Sequence, residues 1–214
     1  MKAPSHSIAA FVAAALAVAG GVERAQAQDH SHHAAVRADS VHRPWTPADA
    51  HFMSAMIGHH AQAIVMARMA PTHGASPSVL RLADRIINAQ QDEIATMQQW
   101  LRDRGQPVPE ARPGMTMMMD GAPHEMHMPG MLTEAQLKKL DEARGAEFDQ
   151  LFLTFMIQHH RGATAMVSQL FGTYGAGQDE TVFKFASDVN VDQTTEIARM
   201  ENMLVALVFG ESTP

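Results

Sequence analysis

Two copies of an adjacent imidazole pair, each flanked by thioethers, recur along this sequence. One run reads Asp49, Phe52, Met56, Ile57, His59, His60, Ala63 and Met66. The second reads Asp149, Phe152, Met156, Ile157, His159, His160, Ala163 and Met166, displaced by 100 residues at every position. A further run, Gln90, Glu93, Ile94, Met97 and Leu101, returns as Gln193, Glu196, Ile197, Met200 and Leu204 at a displacement of 103. Imidazole suits copper, zinc and iron, whereas thioethers select Cu(I). A thioether needs no deprotonation, but a ligating His must be neutral. Glu93 and Glu196, with Gln90 and Gln193, can ligate directly. They can equally accept the second ring N–H of a ligating His and fix its tautomer.

At roughly 100° per residue, Asp49 through Met66 form one stripe about 120° wide. That stripe must face the interior to bury Phe52, Ile57 and Ala63, and the second copy behaves alike. Four imidazoles and four thioethers are thus expected to point inward at one level, with small Ala63 and Ala163 leaving space beside the rings. Core filling is the ordinary use of Met at helical spacing. A His–carboxylate network locking two helical hairpins together is the ordinary use of buried His. The doubled His pair favours a metal over both. Asp49 and Asp149 sit near helix starts, where dipole placement is the default role.

A second group of soft donors lies in residues 115–131, MTMMMDGAPHEMHMPGM. Met115, Met117, Met118, Met119, Met126, Met128 and Met131 accompany His124 and His127 there. A loop of this length is functional or disordered. Exposed Met in an oxidising compartment is prone to sulfoxide formation, which makes a passive linker an odd place for seven. Soft-metal capture of Cu(I) or Ag(I) is the functional reading. A third expectation depends on processing. A chain starting Gln28-Asp29-His30 presents an amine, two amide nitrogens and the His30 imidazole, a square-planar set for Cu(II) or Ni(II).

Composition supports this chemistry by exclusion. The 214 residues include 17 Met, 13 His and no Cys, so disulfides, Cys-ligated zinc and thiol catalysis are absent. A net charge of −7 argues against wrapping nucleic acid. Residues 1–27 read as a secretory signal peptide: Lys2, then an apolar run from Ile8 to Val22, then Ala25-Gln26-Ala27 with the cut after Ala27. The run is too short to span a bilayer. A periplasmic or secreted protein follows, with no membrane insertion after cleavage.

The elements that must position these groups read as helices. Residues 28–45 are a His-rich lead-in. Thr46-Pro47-Ala48-Asp49 is a strong helix start, and Pro71 ends that helix. Ser76-Pro77 opens the next, which Gly105 closes. A Pro-rich break runs to Met131, a short helix starts at Thr133-Glu134, and a long one follows from about Gly145 to Phe171. The last runs from about Asp179 to Phe209. No stretch alternates with period two. The expectation is an all-α protein. Its domain, residues 46–209, is a four-helix bundle of two repeated hairpins, 46–104 and 132–209, joined by the Met-rich loop 105–131.

The doubled M-I-x-H-H-x-x-A-x-x-M, each followed by Q-x-x-E-I-x-x-M, resembles the bacterial family called domain of unknown function 305 over residues 46–209. The resemblance implies a ferritin-like four-helix fold and, from its CopM-type members, copper binding. A non-enzymatic copper protein for tolerance, buffering or delivery is therefore expected. Its partners are metal ions, with a copper exporter or chaperone as the protein partner. A ferritin-like di-metal oxidase is the alternative, but such sites need Glu-x-x-His on two helices. Met56, Ile57, Met156 and Ile157 occupy the positions three before the His residues. A structural bundle without metal is the third reading.

Overall fold

A computed structural model describes residues 44–119, 122–126 and 128–210, and within the connecting segment the side chains of 115–127 fall outside that description. The expected signal peptide, the expected lead-in through residue 43 with His30, and His127 also lie outside it. Five α-helices carry the described residues: α1 (Pro47–Met69), α2 (Pro77–Asp103), α3 (Glu134–Glu142), α4 (Gly145–Gly172) and α5 (Glu180–Phe209). A single 3-10 turn, Ala70–Thr72, follows α1. None of these helices is long and apolar enough to cross a membrane.

The helix ends follow from local chemistry. Thr46 caps α1, and Asp49 answers it. The Asp49 Oδ2 accepts from the Thr46 backbone N–H at 2.7 Å while Thr46 Oγ1 accepts from Asp49 N–H. Such reciprocal caps satisfy two otherwise orphaned donors. Ser76 caps α2, Thr133 with Gln136 caps α3, and Asp179 caps α5 through Thr181 and Val182 N–H.

Packing makes two hairpins. Helix α1 lies along α2, α4 lies along α5, and the hairpins meet across α1 and α4. The outer helices are tied by side chains. Arg85 Nε donates to Glu196 at 3.2 Å, and Trp100 Nε1 donates to Asp179 at 3.1 Å. Two carboxylates pin each hairpin to the turn of the other. Asp49 Oδ1 accepts from Gly177 N–H at 2.6 Å, and Asp149 accepts from Ser76 N–H at 3.1 and 3.2 Å. Asp49 lies in the first turn of α1, whereas Asp149 lies beyond the first turn of α4 and serves the contact with Ser76.

Two expectations need correction. The connecting segment is not wholly without regular structure. Strands β1 (Met115–Met119) and β2 (Ala122–Met126) pair antiparallel, with Met115 opposite Met126 and Met117 opposite His124. The Asp120-Gly121 dipeptide between them is a short-hairpin sequence. Methionine runs hide it because they carry no alternation of polarity. Secondly, α1 does not bury a single stripe. It is buried nearly all round, because α2, α4, α3 and both ends of the connecting segment cover it.

Glycine makes that covering possible. A Cβ on Gly58 would stand 2.0 Å from the Gly114 carbonyl oxygen, and one on Gly162 would stand 2.0 Å from that of Pro129. The Pro129 backbone cannot retreat cheaply, since Gln62 clamps nearby Leu132 in both directions, at 3.0 and 2.7 Å. Gly162→Ala is therefore expected to destabilise the protein by at least about 2 kcal/mol in chemical denaturation, whereas the same change at exposed Gly172, where a Cβ meets nothing, costs little.

Candidate metal centre

The four motif imidazoles lie in a row where the hairpins meet. Ring centroids of His59 and His159 are 3.9 Å apart, and His60 and His160 flank them at 6.4 and 6.2 Å. All four are fully buried. They arrive there because α1 and α4 cross with the same residues at their contact.

Hydrogen bonds fix the tautomers of the central pair. His59 Nε2 lies 3.0 Å from the Pro129 carbonyl oxygen, and His159 Nε2 lies 2.9 Å from that of His59. A carbonyl only accepts, so Nε2 carries the proton in both rings and Nδ1 presents a lone pair. His160 Nε2 donates to Glu196 Oε2 at 2.8 Å. Glu93 Oε2 stands 2.7 Å from His60 Nε2, but off the line of a hydrogen bond, so both atoms remain without one. Glu196 thus accepts from its ring, the orienting role open to it from the sequence, while Glu93 stands beside His60 without a hydrogen bond to it. Burial works to raise the Glu196 carboxyl, yet the His160 hydrogen bond and Arg85 outweigh it and hold it below the ordinary range. Asp192, which the repeat gives no reason to single out, is pushed up by burial and then by Glu93.

The unsatisfied atoms are concentrated here. Nδ1 of His59, His60, His159 and His160 is buried without a hydrogen bond, as are both side-chain polar atoms of Gln90 and Oε1 of Gln193. Of the ten such atoms among the described residues, nine belong to repeated positions, and Arg104 holds the other. Buried polar atoms are normally paired, and a cluster that is not points to a ligand. Bare imidazole nitrogens fit a soft or borderline metal ion. Among the described residues no group of three or more His, Asp or Glu is placed to hold a metal ion by itself.

The repeated thioethers divide between the two apolar clusters. Met56, Met97 and Met166 share one apolar cluster, and Met66, Met156 and Met200 share the other. Each repeat exchange (56 with 156, 97 with 200, 166 with 66) swaps the two trios. Every one of these Met is buried. Met128 lies buried in the first cluster and Met131 packs against it. The positions of Met115, Met117, Met118, Met119, His124 and Met126 are fixed here only as strand register.

Burial holds His59 down, to about 3, with His60 adding to it, and His159 is driven well below the ordinary imidazole range by burial and then by His59. Both rings are neutral in the folded protein at neutral pH, as a ligand must be. The unfolded chain takes up protons near 6.5 that the folded chain refuses, so folding stability falls as pH drops below about 6.5 and continues to fall toward 3. Urea denaturation of metal-free protein from pH 7 to pH 4 should show a declining midpoint. A midpoint that is flat or rises with acid contradicts buried neutral rings.

Comparison with known proteins gives the family. The model of the domain of unknown function DUF305 matches residues 49–204. A DUF305 protein from Streptomyces coelicolor, assigned as secreted, is similar at 30% identity and a TM-score of 0.63, covering 75% of this chain and 93% of that one. A DUF305 fragment from Deinococcus radiodurans is similar at 28% identity and 0.61, covering 75% and 97%. CopM in its Cu(I)-bound form is similar at 30% identity and 0.55, covering 75% and 96%, and CopM has also been solved with Ag and with Cu(II). Among curated proteins none matches this chain. The matched span includes both imidazole pairs and all six repeated methionines, and the chain belongs to the DUF305 family.

Proposed function

We propose that this protein binds copper, as Cu(I) and also Ag(I), through Met and His, and that it serves tolerance, buffering or delivery outside the cytosol without being an enzyme. The observation that carries the reading is the cluster of bare buried imidazole nitrogens between two trios of buried thioethers. Similarity to CopM, solved with Cu(I), Cu(II) and Ag, supports it. The four long helices are read as a ferritin-like bundle of two hairpins. The ligands proposed are His59, His60, His159 and His160 with Met56, Met66, Met97, Met156, Met166 and Met200. Glu93 and Glu196 orient the rings.

The same reading assigns weaker sites to the connecting segment, from Met115 to Met131, and a Cu(II) site to a mature N-terminus beginning at Gln28. It takes residues 1–27 as a leader and the compartment as periplasmic or secreted. A copper exporter or chaperone is the proposed protein partner. The absence of Cys fits such a compartment, because thioethers and imidazoles bind soft metal without forming stray disulfides. A di-metal oxidase is the lesser alternative, since the carboxylates that pair with the rings among the described residues are Glu93 and Glu196, one to each outer imidazole.

Chelator competition under anaerobic conditions gives the test. Mature protein should withdraw Cu(I) from a chromophoric chelator. Deleting residues 115–127, which spares Met128 and Pro129, should lower the stoichiometry without abolishing uptake. Replacing all four motif His by Ala in that deletion should weaken the remaining affinity by at least tenfold. No Cu(I) or Ag(I) uptake, with zinc or iron retained instead, overturns the proposal.

A further inference from the structure

The two halves of the repeat differ sharply at one place, and a cavity opens there. Toward the start of α1, Ala48, His51 and Ala55 occupy the positions that Phe148, Leu151 and Phe155 fill in α4. In the second half those bulky side chains complete the apolar cluster around Met66. In the first half their small counterparts leave a pocket of about 350 Å³, open to solvent. Its wall includes His51, Met128, Pro129 and Met166. Among those four, His51 is exposed, while Met128 and Met166 are buried, so the imidazole stands at the rim above two thioethers.

We propose that this pocket is the entry site for the soft metal ion, with His51, Met128 and Met166 as its first ligands; the inference rests on the copper reading above and adds to it a route and a residue. One imidazole and two thioethers form a neutral soft set that suits monovalent Cu(I) or Ag(I) and offers little to zinc. The volume exceeds that of a bare ion. An incoming ion therefore enters with its carrier ligands and exchanges them for protein donors one at a time. Pro129 links the pocket to the centre. It lines the cavity, and its carbonyl accepts from His59 Nε2 at 3.0 Å. Met166 belongs to both the pocket and the first thioether trio, whereas its counterpart Met66 is sealed by Phe148 and its neighbours. The duplication has thus been made asymmetric, with one open end and one closed end.

The test is Ag(I) titration of full-length mature protein carrying ¹³C-methyl methionine, followed by NMR. With the first equivalent, the Met128 and Met166 methyl signals should shift before those of Met66, Met156 and Met200. His51→Leu, which installs the residue of the closed half at an exposed position, should weaken that first step by tenfold or more. Ala55→Phe should block it by filling the pocket. If Met66 shifts first, or if His51→Leu leaves the first step unchanged, the entry site is wrong while the copper reading stands. If no methionine shifts with Ag(I), both fall. The order of shifts in the unmodified protein decides the matter even if Ala55→Phe does not fold.

Discussion

The central imidazole pair of this protein must remain uncharged, and much of its architecture answers that constraint. Two imidazoles from different hairpins lie ring against ring, with a third and fourth alongside, in a place where a charged ring would be stripped of water. Desolvation at such a site disfavours protonation strongly. His59 and His159 stay neutral, and each neutral ring has one donor and one acceptor to satisfy. Backbone carbonyls take the donors of His59 and His159. For the first of these, the Pro129 peptide must lie directly on the helices, and Gly162 is the residue that lets it approach. The acceptors are left bare. Four buried imidazole Nδ1 atoms without hydrogen bonds are what the proposed metal reading rests on.

Duplication explains how such a centre arises. Each hairpin alone exposes an apolar face and two imidazoles. Apposing two copies buries both faces and brings the rings together about a pseudo-twofold relation. The pins obey the same relation: Asp49 reaches the turn at Gly177, and Asp149 reaches Ser76. So do the methionine trios, each drawing two members from one hairpin and one from the other. Where the copies diverge, the divergence is chemical. The second half gains α3 and large aromatics that close it. The first keeps Ala48 and Ala55 and places His51 at an opening.

Much of this was legible in the residues. Thr46-Pro47 and Ser76-Pro77 announce helix starts because a side-chain oxygen and a missing N–H serve the first turn directly, and the helices begin at those prolines. The 100-residue repeat identifies the inward-facing imidazoles, since identical spacing on two helices implies identical faces. What the residues could not show was three-dimensional in origin. The near-complete burial of α1 depends on the connecting segment folding back, and its only local trace is glycine at positions 58 and 162 within helical stretches. The division of the thioethers into two clusters depends on the crossing of α1 and α4, which spacing along one helix does not encode. The pocket depends on the absence of side chains at Ala48 and Ala55, and it emerges only when the two halves are superposed in space.

The central claim is that soft metal binds between the hairpins on thioether and imidazole together. X-ray absorption at the copper edge, on Cu(I)-loaded protein lacking residues 115–127, addresses it most directly, because that deletion leaves Met128 and Pro129 in place and removes the other donors of the connecting segment. Sulfur scatterers near 2.3 Å, together with imidazole scattering that is lost when His59 and His159 are replaced, are the predicted result; the sulfur distance is about that of metal–sulfur bonds generally. A spectrum with light-atom neighbours only, or one unchanged by removing the central His pair, contradicts it.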